Sequence, residues 1–198
     1  MEGSEIIGIG AEAKLYTFEM FDVETVVKER LPKKYRAAAL DLKIRKTRTK
    51  TEARIMFRLS RAGVRCPRIV ALGRFSVYME KVDGTLLKDK RITDREIAES
   101  AKILSRMHSL NVIHGDFTPA NLISDGSTVY VIDFGLSEIT QSDEEKAIDL
   151  LLMKRSIKAD LYRIFEKEYA KSYSESKRIL NRLKEVERRG RYQVRTLI

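Results

Sequence analysis

The chain has 198 residues, 43% hydrophobic and 34% charged, with a formal net charge of +10. This suits one soluble domain or two small lobes and excludes a disordered chain, and with no run of eighteen apolar residues and no basic-then-apolar start, neither a membrane span nor a signal peptide is expected. A single cysteine, Cys66, and two histidines make an internal disulfide impossible and a zinc site unexpected, so a cytoplasmic setting is anticipated; the excess of 39 basic over 29 acidic residues fits a polyanion-binding surface and a plain basic surface equally well.

Strands are expected at residues 5–9, 15–18 and 24–28, the first two flanking a small-residue turn. A long helix follows from about Tyr35 to Ser60. Its first half is basic (Lys43, Arg45, Lys46, Arg48, Lys50), and it turns apolar at Ala53, Met56 and Phe57 before Gly63 and Pro67 end it. Strands at 68–72 and 74–81 lead to a hinge at about 80–84, and from Asp83-Gly84 onward the pattern is mostly helical. Thr93-Asp94-Arg95-Glu96 reads as a capping box opening a helix with Ile97, Ala101, Leu104 and Met107 on one face. A short strand is expected at 128–132, a helix capped by Ser142 carries Ala147, Leu150 and Leu151, and a last helix runs from about Ser174 to Arg189. Residues 188–198 read as a basic, mobile tail. The division is an N-lobe over about 1–81, a C-lobe over about 85–187 and the tail, with the hinge region favoured for a ligand.

The chemistry concentrates in His114-Gly115-Asp116-Phe117-Thr118-Pro119-Ala120-Asn121, followed twelve residues after Asn121 by Asp133-Phe134-Gly135. Each piece alone is a common loop. Together, in this order and around a short strand, they supply the two acids and one amide that phosphoryl transfer needs. Asp133 is expected to chelate a magnesium ion that bridges phosphate oxygens, Asn121 to hold a second ion, and Asp116 to orient or deprotonate the attacking hydroxyl or water. Manganese can stand in for magnesium. His114 is expected to shape the loop by hydrogen bonds, and His108 to serve the core or a helix end.

Lys28 closes an apolar strand and can reach the α- and β-phosphates of ATP, with Glu52 on the long helix as the acid that holds it. The plain alternative is a solvated strand-end lysine beside an equally solvated Glu29 and Arg30. Gly8-Ile9-Gly10-Ala11-Glu12-Ala13 forms a glycine-rich turn whose N–H groups can approach phosphates; its plain alternative is a hairpin turn. Met79, Glu80 and Val82 at the hinge are placed to receive an adenine ring, through the Glu80 carbonyl and the Val82 N–H.

These residues resemble the protein-kinase superfamily over nearly the whole chain. Departures narrow the resemblance: Gly115 replaces the usual arginine, Thr118 replaces a lysine, and no Ala-Pro-Glu follows Gly135. The expected fold is therefore α+β, a minimal bilobal kinase-like fold with a strand-rich N-lobe, one long helix and a reduced C-lobe lacking an extended activation segment. The run Thr47–Arg54, Gly10–Ala13, Asp133–Leu136, Lys146–Leu150 and the basic tail make the chain similar to the PRPK-like family, the small kinase subunit of the KEOPS/EKC complex, in an archaeal form. That resemblance implies an ATP-dependent serine/threonine kinase or ATPase supporting threonylcarbamoyladenosine formation in tRNA. It implies as partners the threonylcarbamoyl-transferase subunit, a small helical regulatory subunit, and tRNA reached by the tail. A RIO-like ribosome-assembly kinase, a small-molecule phosphotransferase and a non-catalytic scaffold are the competing readings.

Overall fold

The computed structural model describes residues 5–10 and 13–195, the last six of these for their backbone only. Two compact units divide the chain, Met1–Val82 and Asp83–Ile198.

In the first unit, β1 (Glu5–Ile9), β2 (Ala13–Met20), β3 (Val23–Arg30), β4 (Ile69–Leu72) and β5 (Ser76–Glu80) form one antiparallel sheet in the order β1-β2-β3-β5-β4. Helix α1 (Ala38–Arg61) supplies Ile55, Met56 and Leu59 to a core shared with Val27 and Val77. No side chain caps α1. Instead Asp41 in its first turn is buried, accepting from the Lys33 N–H at 3.2 Å and from Arg45 Nε at 2.7 Å. Cys66 is buried, and desolvation pushes its thiol up to about 12, leaving it an inert core group.

The second unit contains two small sheets and four helices among its described residues. Strands β6 (Thr85–Leu86), β8 (Leu122–Ser124) and β9 (Val129–Val131) form one sheet; β7 (Val112–Ile113) pairs with β10 (Glu138–Ile139). Helix α2 (Asp94–Ser109) starts with the expected capping box, Thr93 and Glu96 each accepting from the other's main chain, and buries Ile97, Ala101, Leu104 and Met107. Ser142 caps α3 (Asp143–Ser156) by accepting from Glu145 N–H. Helix α4 (Ala159–Ser172) is absent from the sequence reading because nothing caps it: Lys158 precedes it without a side-chain cap, although Tyr162, Phe165 and Tyr169 line one buried face. Helix α5 (Ser176–Arg195) runs six residues past Arg189, so the stretch 188–195, expected to be a mobile tail, is helical backbone. No described helix is long and apolar enough to cross a membrane.

Candidate active site

In a strand, residues two apart share a face. On β3 this places Lys28 and Arg30 together, both buried, beneath Glu52 of α1. Lys28 Nζ donates to Glu52 Oε1 at 2.7 Å and Arg30 Nη2 to Oε2 at 2.5 Å. Glu52 is only 3% exposed, and a carboxylate this deep is tolerable because it is paired on both oxygens. Arg30, solvated in the plain alternative, is instead buried and paired with Glu52; its two-residue offset from Lys28 was the available signal.

In the glycine-rich turn, Gly8 pairs with Leu15, Gly10 N–H donates to the Ala13 carbonyl at 2.8 Å, and Ala13 is buried. Among the described residues a Cβ at Gly8 or Gly10 would meet nothing nearer than 3.5 Å, so no described contact requires either glycine. Ile9 is exposed; Ala11 and Glu12 lie outside the described residues. Met79 is buried, whereas Glu80 turns its carboxylate outward to a two-pronged pair with Arg68 at 2.8 and 3.1 Å. Val82, half-buried, ends the first unit.

In the second unit, the β8–β9 hairpin sets the geometry. Leu122 pairs with Val131, and Ile132 N–H donates to the Asn121 carbonyl at 3.0 Å, so Asn121 and Asp133 flank the same end of the hairpin. Asn121 Nδ2 donates to both the main-chain oxygen and Oδ2 of Asp116, each at 2.8 Å. Asp133 sits at φ +60, a strained region that aspartate tolerates better than most residues, with its Oδ1 accepting from Gly135 N–H at 3.0 Å.

His114 holds the loop that carries Asp116. Its Nε2 faces the Ile132 carbonyl at 3.0 Å, which makes it the protonated nitrogen; Nδ1 then accepts from Asp116 N–H at 3.2 Å. Its buried ring packs against Phe117 and Phe134, centroids 5.6 and 5.5 Å away, and burial pushes its pKa below the usual value, so it stays neutral. Beneath it lies Asp149 of α3, fully buried. Asp149 accepts from His114 N–H at 2.7 Å and Gly115 N–H at 2.9 Å, with His108 Nε2 at 3.2 Å as a third donor. His108 Nδ1 meets the Tyr169 hydroxyl at 2.7 Å, and burial likewise pushes its pKa down. The sequence reading recorded Asp149 without assigning it this role; an acid among Ala147, Leu150 and Leu151 in one helix was the signal.

Gly115 explains the departure from the usual arginine. It sits at φ +80, and a Cβ there would stand 2.5 Å from the Leu136 carbonyl oxygen. Leu136 belongs to the short segment after Gly135, which folds back: Ser137 Oγ donates to the His114 carbonyl at 2.9 Å, β10 pairs with β7, and α3 begins at Asp143. A cavity of about 660 Å³ beside the loop is lined by Thr118, Pro119, Ala120, Arg91 and Lys158; neither Asp116, Asn121 nor Asp133 lines it, so it is no substitute for the site built by those residues.

Among the described residues no group of three or more His, Cys, Asp or Glu is placed to hold a metal. The donor set that fits is the sparse, hard one magnesium takes when phosphate and water complete its shell. Asp133 offers a carboxylate, and Asn121, with its nitrogen committed to Asp116, offers Oδ1.

Comparison with known proteins gives a consistent picture. The RIO domain family model matches residues 12–178. The chain is 35% identical over 217 residues to the KEOPS complex subunit Bud32 of Pyrococcus abyssi, covering 98% of this chain and 99% of that protein. It is 36% identical over 198 residues to a probable bifunctional tRNA threonylcarbamoyladenosine biosynthesis protein of Methanobrevibacter smithii, covering 94% of this chain but spanning only 36% of that longer relative. Among solved structures, the Rio2 kinase–ADP/Mg²⁺–phosphoaspartate complex from Chaetomium thermophilum superposes with a TM-score of 0.68 at 16% identity, over 96% of this chain and 71% of that one. The fold is thus the bilobal protein-kinase-like one, with a strand-rich N-lobe and a helical C-lobe, and the chain belongs to the RIO-domain family and, within it, to the Bud32 group.

Proposed function

We propose that the chain is an ATP-dependent phosphotransferase, acting as an atypical serine/threonine kinase or ATPase, and that it supports threonylcarbamoyladenosine modification of tRNA as a subunit of the KEOPS complex, in an archaeal form and in the cytoplasm. The observation that carries the reading is that one chain contains both a buried lysine held by Glu52 and the hydrogen-bonded Asp116–Asn121 pair beside Asp133. Few tasks other than handling a nucleotide's phosphates use both.

In this reading Lys28 meets the α- and β-phosphates, and Glu52 and Arg30 fix it there. Gly8, Ile9, Gly10, Ala11, Glu12 and Ala13 cover the phosphates, which gives a reason for glycines that no described contact requires. Met79, Glu80 and Val82 receive the adenine. Asn121 and Asp133 hold magnesium, or manganese in its place, which neutralises phosphate charge. Asp116, aimed by Asn121, orients or deprotonates the acceptor hydroxyl or water. The ADP and Mg²⁺ in the Rio2 complex support this choice of cofactor. The names of the Pyrococcus and Methanobrevibacter relatives support the complex and the tRNA modification. The partners are a threonylcarbamoyl-transferase subunit, a small helical regulatory subunit and tRNA, the last reached by the C-terminal end of α5. The RIO-domain match favours one second reading, a ribosome-assembly kinase.

Phosphate release from Mg-ATP decides among these. It is measured for the chain alone, with the transferase subunit, and with tRNA added, each against Asp133→Ala. Turnover that requires Asp133 and rises with the transferase subunit or tRNA supports the proposal. Turnover indifferent to both but stimulated by pre-ribosomal particles favours the second reading, and equal turnover in Asp133→Ala refutes the site.

A further inference from the structure

Helix α1 has a second face. At 100° per residue, Lys43, Lys50, Arg54 and Arg61 fall within about 20° of one line along the helix, with Lys46 and Phe57 just beside it. Lys43, Lys46, Lys50, Arg54 and Arg61 lie on the exposed side, and Phe57 is 59% exposed with the Arg61 guanidinium over its ring. The helix has only two acids, and both are buried on the opposite side. Asp41 takes Arg45, and Glu52 takes Lys28 and Arg30.

No carboxylate on α1 therefore faces the stripe. An ordinary solvated helix face intersperses both signs at i,i+4 spacing. Here five cations stand in one row over about 27 Å, the rise of eighteen residues. This row amounts to half of the chain's net surplus of ten positive charges. It carries five like charges in line beside one exposed aromatic ring, so it fits a regular line of negative charge better than a folded protein surface. One strand of a duplex presents about eight phosphates over that length, at ~3.4 Å each.

We infer that the outer face of α1 is a docking surface for the phosphate backbone of a structured nucleic acid. That this nucleic acid is RNA rests on the proposed function; the charge geometry does not. The contact positions the polymer without reading its sequence. The inner face of the same helix carries Glu52, so a polymer bound outside would press on the element that holds Lys28.

The test uses the full chain and a fluorescently labelled RNA stem-loop, with a DNA duplex of equal length as a second probe, read by anisotropy across a salt series. Lys43→Gln/Lys46→Gln/Lys50→Gln/Arg54→Gln should weaken RNA binding at least about tenfold near 0.1 M salt and flatten the log K against log salt slope by about 3, at roughly 0.7–0.9 per lost phosphate contact. Arg163→Gln/Lys167→Gln/Lys171→Gln, on the exposed side of α4, should change it far less. Acetylation of wild-type lysines, read by mass spectrometry, needs no variant to fold: RNA should protect Lys43, Lys46 and Lys50 over Lys167 and Lys171. Equal losses in both variant sets, an unchanged slope or no selective protection would overturn the inference, as would displacement of RNA by polyglutamate at equal charge concentration. Tighter binding of DNA than RNA would keep the surface and remove the RNA assignment. Because binding is read without turnover, Asp133→Asn should retain it, and a chain that binds RNA but never handles ATP would refute the proposed function alone.

Discussion

Replacing Gly115 with alanine tests whether the abbreviated segment after Gly135 dictates the residue before Asp116. At φ +80 an alanine costs about 1–2 kcal/mol relative to glycine. Its Cβ would stand 2.5 Å from the Leu136 oxygen and 3.0 Å from the Leu136 Cβ, and backbone displaced by overpacking adds about 1–3 kcal/mol. Neither side can easily yield: Gly115 N–H is tied to Asp149, and the opposing segment is tied through Ser137 to His114 and through β10 to β7. The expected total is about 2–5 kcal/mol. Gly63 gives the control, because it has φ +78 with nothing within 4 Å, so Gly63→Ala should cost only the conformational part, about 1–2 kcal/mol. Urea unfolding followed by circular dichroism compares the two, alongside phosphate release from Mg-ATP, which Gly115→Ala should depress by displacing Asp116. A midpoint shift for Gly115→Ala no larger than that for Gly63→Ala would show that the Leu136 contact does not select glycine.

Glu52→Ala should cost about 3–5 kcal/mol, since it removes the buried carboxylate that two buried cations share, whereas Lys28→Met should abolish turnover with a smaller stability loss because Arg30 still pairs with Glu52; thermal unfolding beside phosphate release separates the two effects. Asp116→Ala should lower turnover about 10²–10⁴-fold while the chain still binds nucleotide, and wild-type turnover would remove its acid–base role. His108 and His114 are both held neutral by burial, with pKa values below the ordinary 6.5. The unfolded chain then binds protons that the folded one does not, so stability should fall as pH drops below about 6.5, in a range where ordinary carboxylates stay ionised. Melting curves between pH 7 and 5.5 should show that slope, and His108→Gln should reduce it; an identical slope would mean the histidine is not the group titrating.

The sequence made visible those features that depend on local rules. The capping box at Thr93 and the glycine stop at Gly63 each act within a few positions, and α2 begins and α1 ends where those signals put them. The ordered pair of loops around Asp116 and Asp133 was legible because its residue types are rare together. What escaped depends on contacts between distant segments. Arg30 becomes a site neighbour only because Glu52, twenty-two residues on, is buried above it. Asp149 becomes the anchor of the loop through bonds spanning thirty-four and thirty-five residues. Helix α4 lacked a cap, and its aromatic face, Tyr162, Phe165 and Tyr169, acquires meaning only against α2, where His108 waits for the Tyr169 hydroxyl.

Both units use the same physical device. Each buries one carboxylate and surrounds it with donors drawn from other elements: Glu52 takes Lys28 and Arg30 from β3, and Asp149 takes two main-chain N–H groups and His108. A lone buried carboxylate costs several kcal/mol, so each acid is tolerable only because donors from other elements reach it. The donors are the very groups on whose position the proposed function depends, Lys28 in one unit and the backbone beside Asp116 in the other. Site geometry is therefore enforced in part by the same interactions that hold each unit folded, and a chain that misplaced Lys28 or the Asp116 loop would also give up hydrogen bonds to a buried carboxylate. This coupling lets the segment after Gly135 be so short. The loop's shape comes from Asp149 below and from His114 wedged between Phe117 and Phe134, so it needs no long segment laid over it to stay in place.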